Sequence, residues 1–453
     1  MEFFFRPEGV AVIGASRSPR KIGHQVLRNI VEGGYGGKVY PVNPKGGEIL
    51  GLPVYKSVLD VPGSVDLAVV AVPAPVVPSV VRECGEKGVK GVAVISSGFG
   101  EVGNRELEEE LVRTVKEYGM RLLGPNIFGV VYTPARLNAS FGPPEVVPGK
   151  IALVSQSGAL GIALMGWTQT EDIGLSAVVS VGNKADVSDE DLLDFFSADG
   201  NTEVVVIYME GVKDGRAFME AVRRCPKPVV VIKAGRSERG AQAVSSHTGS
   251  LAGADLVYDG AFRQVGVIRA GDVRDAFVLA RALSELPVPE GDGTVIITNG
   301  GGMGVLATDA AEDEGLPLYS GPELVAFRSA MPPFGSYRNP VDITGMADPT
   351  MYLRALEVAQ ESRGVHSVIL LYCETAVCDP LELAEGLKKE YRREKPLTVA
   401  MVGGSRTAEA VHRLNRAGIP AYTSPAEAVR AMKGLYLWKE FRGKRAPLSG
   451  GAR

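Results

Sequence analysis

A short β-branched run, a glycine-rich turn and an amphipathic stretch recur in that order along the chain, and this rhythm constrains the fold more than any other feature. Strand-like runs fall at 9–13, 38–42, 66–72, 91–96 and 121–123, then at 151–154, 177–180, 204–209 and 229–233, and again at 294–298, 367–372 and 397–401. They are nearly continuous in Val, Ile and Ala, as strands covered on both faces are. Their alternation with helical patterns implies parallel α/β sheets. The 56 glycines show no collagen-like period, so they belong to tight loops. Pro/Gly-rich connectors at 142–150 and 286–293 divide the 453 residues into three expected domains, 1–141, 142–290 and 291–453.

Blocks two and three read as copies of one fold. Ser155-Gln156-Ser157-Gly158-Ala159-Leu160-Gly161 matches Thr298-Asn299-Gly300-Gly301-Gly302-Met303-Gly304, with glycines shared at the fourth and seventh positions. Asn183-Lys184-Ala185-Asp186-Val187-Ser188 matches Asn339-Pro340-Val341-Asp342-Ile343-Thr344. Ile207-Tyr208-Met209-Glu210 matches Leu371-Tyr372-Cys373-Glu374, and Lys227-Pro228-Val229 matches Lys395-Pro396-Leu397. Chance explains one anchor but explains four in order poorly. Only block two continues into Ser245-Ser246-His247-Thr248-Gly249-Ser250.

Several function classes are excluded. With 49 basic and 53 acidic residues the net charge is −4, which leaves no electrostatic footprint for nucleic acid or an anionic membrane. Four cysteines without a CxxC pair suit neither a disulfide scaffold nor a zinc site, so no metal is expected. The start lacks a signal-peptide pattern, and the longest uncharged stretch, 151–170, is too polar to span a membrane. A cytoplasmic, reduced protein is expected.

Three constellations could carry chemistry. The first is the βα turn Gly14-Ala15-Ser16-Arg17, whose amides and following helix suit a phosphorylated ligand. The GxGxxG pattern is missing, and the second strand ends in Asn43-Pro44-Lys45 rather than in a ribose-binding acid, which disfavours NAD and suits an extra phosphate. The bland alternative is a tight turn without a ligand. The second is the duplicated loop, in which small side chains let an anion approach a helix N-terminus at Ser155, Gln156, Ser157 and Gly158 and at Asn299, Gly300, Gly301, Gly302, Met303 and Gly304. Here the alternative is that glycine gives room for helix–sheet packing. The third is His247, in a run of small residues that reads as a ligand-facing loop. Imidazole can accept a phosphoryl group, and Glu210, ending a central strand, could orient it; the alternative is a helix-capping histidine. The segment 101–106 reads as a loop into an acidic helix and 236–239 as a solvated charged turn, neither with a role.

These residues resemble the α subunits of ADP-forming (NDP-forming) acyl-CoA synthetases, in the succinyl-CoA synthetase superfamily. The resemblance rests on Val12-Ile13-Gly14-Ala15-Ser16, Val42-Asn43-Pro44-Lys45, Val72-Pro73-Ala74-Pro75, Gly124-Pro125-Asn126, Ser155-Gln156-Ser157-Gly158, the loop around His247, the run 299–304 and Asn339-Pro340-Val341-Asp342. It implies a Rossmann-like CoA-binding domain followed by two flavodoxin-like ligase domains. The implied reaction is acyl-CoA + phosphate + ADP ⇌ acid + CoA + ATP, by way of an acyl phosphate and a phosphohistidine at His247 steadied by Glu210. It further implies CoA contacts at Gly14, Ala15, Ser16, Arg17, Lys21, Asn43, Pro44, Lys45, Val72, Pro73, Pro75 and Asn126. Succinyl-CoA synthetase has cysteine just after Gly-Pro-Asn where this chain has Ile127, which implies a less polar acyl pocket. The sequence shows no ATP-grasp domain, so the resemblance implies a separate ATP-grasp β subunit holding ADP or ATP with Mg, in an α2β2 assembly. The rival readings are a CoA-binding sensor of the same fold without turnover, an NAD(P) oxidoreductase, and the synthetase-like half of a protein acetyltransferase.

Overall fold

The computed structural model describes residues 1–248 and 254–445, with side chains as far as Val244 and Lys444 at the two breaks. Two compact units divide between Arg269 and Ala270.

In the first unit, a wholly parallel sheet has the strand order Lys38–Val42, Gly9–Ile13, Leu67–Val70, Gly91–Val94, Arg121–Leu123. Its side chains alternate between two cores, as a period of two requires. Ala11, Ile13, Ala68, Val70, Val92 and Val94 face one core. Val10, Val12, Leu67, Val69 and Ala93 face the other, which they share with Val130, Ala152, Val154, Ala177, Val205 and Ile207 of a second sheet. That shared core explains why compactness does not divide the chain near residue 141.

The second sheet runs Val229–Lys233, Val204–Met209, Pro148–Ser155, Leu175–Ser180, parallel throughout. Gly129–Tyr132 and Leu137–Ser140 then extend it antiparallel. Neither of these strands was expected from the sequence. Their partners are distant in the chain, and Asn29 of helix Ile22–Glu32 donates to the Ser140 carbonyl at 2.9 Å across the shared core. In the second unit the order is Val341–Asp342, Thr294–Thr298, Ser367–Cys373, Leu397–Val402, Ala421–Tyr422, all parallel. The duplicated block therefore has one scaffold twice: a central strand, a glycine loop and a helix, Gly158–Thr170 in one copy and Gly301–Asp313 in the other. Among the described residues, no helix is long and apolar enough to cross a membrane.

Helix Ile22–Glu32 presses directly on the first βα turn. Gly14 has φ +93°, and a Cβ on Gly23 would lie 2.0 Å from the Gly14 carbonyl oxygen. Gly23→Ala would gain about 1 kcal/mol of helix propensity. A methyl against backbone that cannot yield costs about 1–3 kcal/mol. A lower melting temperature is therefore expected, with weaker ligand binding at the turn; an unchanged or raised melting temperature would contradict it.

Candidate active site

The central strands of the first unit end at one edge. Strand pairing sets Ser155 beside Tyr208, two residues before Glu210. Gln156 follows, and its side-chain Oε1 accepts the backbone N–H of Glu210 at 2.9 Å and of Gly211 at 3.3 Å. Ser155 Oγ donates to the Ser157 carbonyl at 2.7 Å, and Ser157 Oγ caps the helix by accepting from Leu160 N at 3.4 Å. The loop is thus fixed by its own side chains, while the first amides of helix Gly158–Thr170 have no intrahelical partner.

The two shared glycines have different roles. A Cβ on Gly161 would lie 2.4 Å from the Phe128 ring, and one on Gly304 3.1 Å from Thr298 Cγ2. Packing accounts for the seventh position. A Cβ on Gly158 would meet nothing within 4 Å. Room for a neighbour is therefore what glycine leaves at the fourth position of this copy.

Gly158 faces a cavity of about 680 Å³. Gln156, Ser157, Gly158 and Asn126, all singled out from the sequence, line it together. Ile95, Ile127, Phe128, Phe141 and Ile162 give it an apolar side. Lys184, Gly211, Val212 and Lys213 form another part of the wall. Helix Glu238–Thr248 lies against the turn Gly100–Val102, whose Gly100 and Glu101 also line the cavity. His247 falls in the last turn of that helix. Its side chain and residues 249–253 lie outside the described residues. The helix itself corrects the expected loop: 245–248 continue helix Glu238–Thr248 instead of leaving it.

Sequence reasoning missed Glu101 and Glu108. Both carboxylates accept from Asn183 Nδ2 at 2.7 Å, and Glu101 also accepts from Gly98 N. Burial raises the Glu101 pKa, but the Asn183 amide and the backbone donors outweigh it, so the carboxyl sits below its ordinary value. Desolvation pulls the Lys213 ammonium below its ordinary value, opposed by Glu108 and reinforced by Lys184. No local signal marks Glu101, because its role exists only where its turn meets Asn183, 82 residues on.

The first βα turn is built separately. Asn43 Nδ2 donates to the Ala15 carbonyl at 2.8 Å and its Oδ1 accepts Lys45 N at 3.0 Å. Arg17 reaches the Gly46 carbonyl at 2.5 Å, and Ser16 O meets His24 Nδ1 at 2.8 Å. Val72 lies next to Gly14, and Ser96 Oγ donates to its carbonyl at 2.5 Å. Arg17, Lys21, Pro44, Lys45, Pro73 and Pro75 are exposed around this turn. Ile22, next to Lys21, lines the cavity, so the turn and the cavity adjoin. Asn299, Gly300, Gly301, Gly302, Met303 and Gly304 lie in the second unit, where Asn299 brackets Cys373 by accepting its N–H at 2.8 Å and donating to its carbonyl at 2.9 Å. Among the described residues no His/Cys/Asp/Glu group could hold a metal.

Comparison with known proteins agrees with this architecture. A CoA binding domain model matches residues 8–133, a succinyl-CoA ligase like flavodoxin domain residues 148–283, and a ligase-CoA domain residues 294–445. The α subunit of acetate–CoA ligase [ADP-forming] I from Pyrococcus furiosus is 60% identical, over 98% of this chain and 99% of its own. The chain belongs to the family of ADP-forming acetate–CoA ligase α subunits. Its named relatives are acid–thiol ligases. An Archaeoglobus fulgidus member, acetate–CoA ligase [ADP-forming] I, is 42% identical over 98% of this chain but only 64% of its own length. The solved Candidatus Korarchaeum cryptofilum dinucleotide-forming acetyl-coenzyme A synthetase 1, in complex with phosphate and ADP, superposes with a TM-score of 0.96 at 50% identity, covering 100% of this chain and 99% of that one. The expected fold class, a Rossmann-like CoA-binding domain and two succinyl-CoA-synthetase-type domains, is the one observed.

The depressed Glu101 pKa has a consequence for stability. A carboxyl lowered in the folded state adds stability above its unfolded pKa and loses it as pH falls through the folded value. Glu101→Gln is therefore expected to lower the melting temperature at neutral pH, with the deficit closing below the ordinary carboxylate range. A deficit independent of pH would contradict the shift.

Proposed function

We propose that this chain is the α subunit of an ADP-forming acyl-CoA synthetase, converting acyl-CoA, phosphate and ADP to a carboxylic acid, CoA and ATP. The observation that carries the proposal is the cavity at Gly158, where a helix N-terminus, the Gln156 lock on Glu210 and the helix bearing His247 belong to one edge of one unit. CoA binds by its ADP part at the first turn, with Arg17, Lys21 and Lys45 meeting its phosphates. Its thioester lies near Val72, Pro73 and Asn126. A phosphate oxygen attacks the thioester carbonyl; the C–O bond forms, the C–S bond breaks and CoA leaves as the thiol. A His247 ring nitrogen then attacks phosphorus; the P–N bond forms, the P–O bond to the acyl group breaks and the free carboxylate departs. ADP finally takes the phosphoryl group and returns neutral histidine.

A helix N-terminus stabilises an anion by up to about 2 kcal/mol in favourable, partly buried geometry. That suits a phosphoryl group that must be held and then released. We infer the same duty for the loop 299–304, which likewise follows a central strand and opens helix Gly301–Asp313. Glu210, 5% exposed, would steady the imidazole. The apolar side of the cavity, with Ile127, favours a monocarboxylic acyl group over succinyl. About a third of the Archaeoglobus relative's own length lies outside its match to this chain, and the Pyrococcus relative is named a subunit. We infer that an ATP-grasp β subunit supplies the nucleotide half-reaction, in an α2β2 assembly.

Incubation with 32P-labelled acetyl phosphate is expected to give an acid-labile phosphoprotein that His247→Ala abolishes. Equal labelling in that variant would refute the histidine, and CoA binding without any labelling would favour a sensor of the same fold. Glu210→Gln is expected to slow labelling while CoA affinity, measured by calorimetry, stays unchanged; a parallel loss of both would place Glu210 in the fold rather than in the chemistry.

A further inference from the structure

Lys184 and Asp189 form a buried ion pair at 2.6 Å, with side chains only 3% and 2% exposed. Replacing such a pair by packed apolar groups is often neutral or stabilising, so stability does not explain it. Its connections lead to the candidate active site. Lys184 Nζ also donates to the Gly211 carbonyl at 3.1 Å. The N–H of the same Gly211 goes to Gln156 Oε1, as does that of Glu210. The turn after Glu210 is therefore gripped from two sides, by the loop ahead of Gly158 and by a buried ammonium. Lys213 closes the ring by donating to the Lys184 carbonyl at 2.5 Å. Lys184 itself adopts φ 52°, a conformation few non-glycine residues take.

The internal repeat supplies an independent comparison. At the positions matching Lys184 and Asp189, the second copy has Pro340 and Gly345, so both partners are missing together. That copy has no histidine matching His247. Its Glu374 instead accepts from Thr407 Oγ1 at 2.9 Å and from the Gly404 N–H. The ion pair accompanies the copy with the proposed catalytic pair and is absent from the copy without it.

We propose that Lys184, held by Asp189, is a positioning residue for phosphoryl transfer, fixing Glu210 against the glycine loop through the Gly211 peptide. This rests on the phosphohistidine function proposed above. Asp189 keeps the ammonium aimed; Lys184 holds the Gly211 carbonyl; Gln156 holds the opposite end of the same turn. Releasing one hold lets Glu210 drift from the imidazole while the CoA turn is untouched.

The decisive variant is the double replacement Lys184→Met with Asp189→Leu, which leaves no buried charge unpaired. Labelling by 32P-acetyl phosphate should slow by about 10- to 100-fold, the range a misplaced group can cost. CoA affinity and melting temperature should stay near wild type. Lys184→Arg, which keeps the charge and a donor, should recover part of the rate. Wild-type labelling speed in the folded double variant would overturn the positioning role. Failure of the wild-type chain to label at all would overturn the phosphohistidine reading instead. If the double variant melts early, the Lys184→Arg rate decides: a stable Arg variant as slow as the double variant refutes positioning by charge and donor.

Discussion

One side-chain carbonyl organises the candidate site. Gln156 Oε1 accepts two consecutive backbone N–H groups, those of Glu210 and Gly211, from the neighbouring parallel strand. Parallel strands do not share a hairpin, so the loops at their ends have no covalent reason to keep step. The glutamine's two hydrogen bonds supply a non-covalent one. It couples the approach to Gly158, where an anion can meet the helix N-terminus, to the residue proposed to steady the histidine.

The second copy shows what one methylene changes. Its matching residue is Asn299, and the shorter amide reaches only Cys373, the counterpart of Met209. The anchor falls one residue earlier. Glu374, the counterpart of Glu210, is then left to its own element and binds the start of helix Ser405–Arg416 through Gly404 N–H and Thr407. Those bonds hold its carboxyl below its ordinary value, with Gly404 and Thr407 the main causes. The same scaffold thus yields two different carboxylates, one buried at a strand end and one serving as a helix cap.

Much of this was legible in the sequence because it is local. The parallel strands announce themselves in runs such as Val204–Met209, and the duplicated loops in their glycines. The anchors that relate the copies are contiguous. What stayed hidden depends on residues far apart. Gly129–Tyr132 and Leu137–Ser140 carry weak strand signals and gain their identity by pairing with Leu175–Ser180. Glu101 reads as a solvated charge until Asn183 is placed beside it. Lys184 reads as an ordinary turn lysine until burial joins it to Asp189. The helix Glu238–Thr248 was masked by composition, since a run of small residues suggests a loop although nothing in it prevents helix.

The cavity combines charged and apolar wall in a way that bears on specificity. Glu101 and Glu108, both bonded to Asn183, line it together with the N-terminus of the helix at Gly158 and with Lys213, whose charge Glu108 supports, while the Lys184 ammonium is taken up by Asp189. Ile127 and Phe128 in the same wall are almost fully buried, so the medium is poorly polarisable. Charges interact more strongly there than in water. For an anion, the free amides at Gly158 are favourable neighbours and the carboxylates of Glu101 and Glu108 unfavourable ones. A second carboxylate on an acyl chain held here would be disfavoured wherever it met the apolar side chains or the two glutamates. For the proposed enzyme, a preference for monocarboxylic acyl groups is therefore expected from the two glutamates as well as from Ile127.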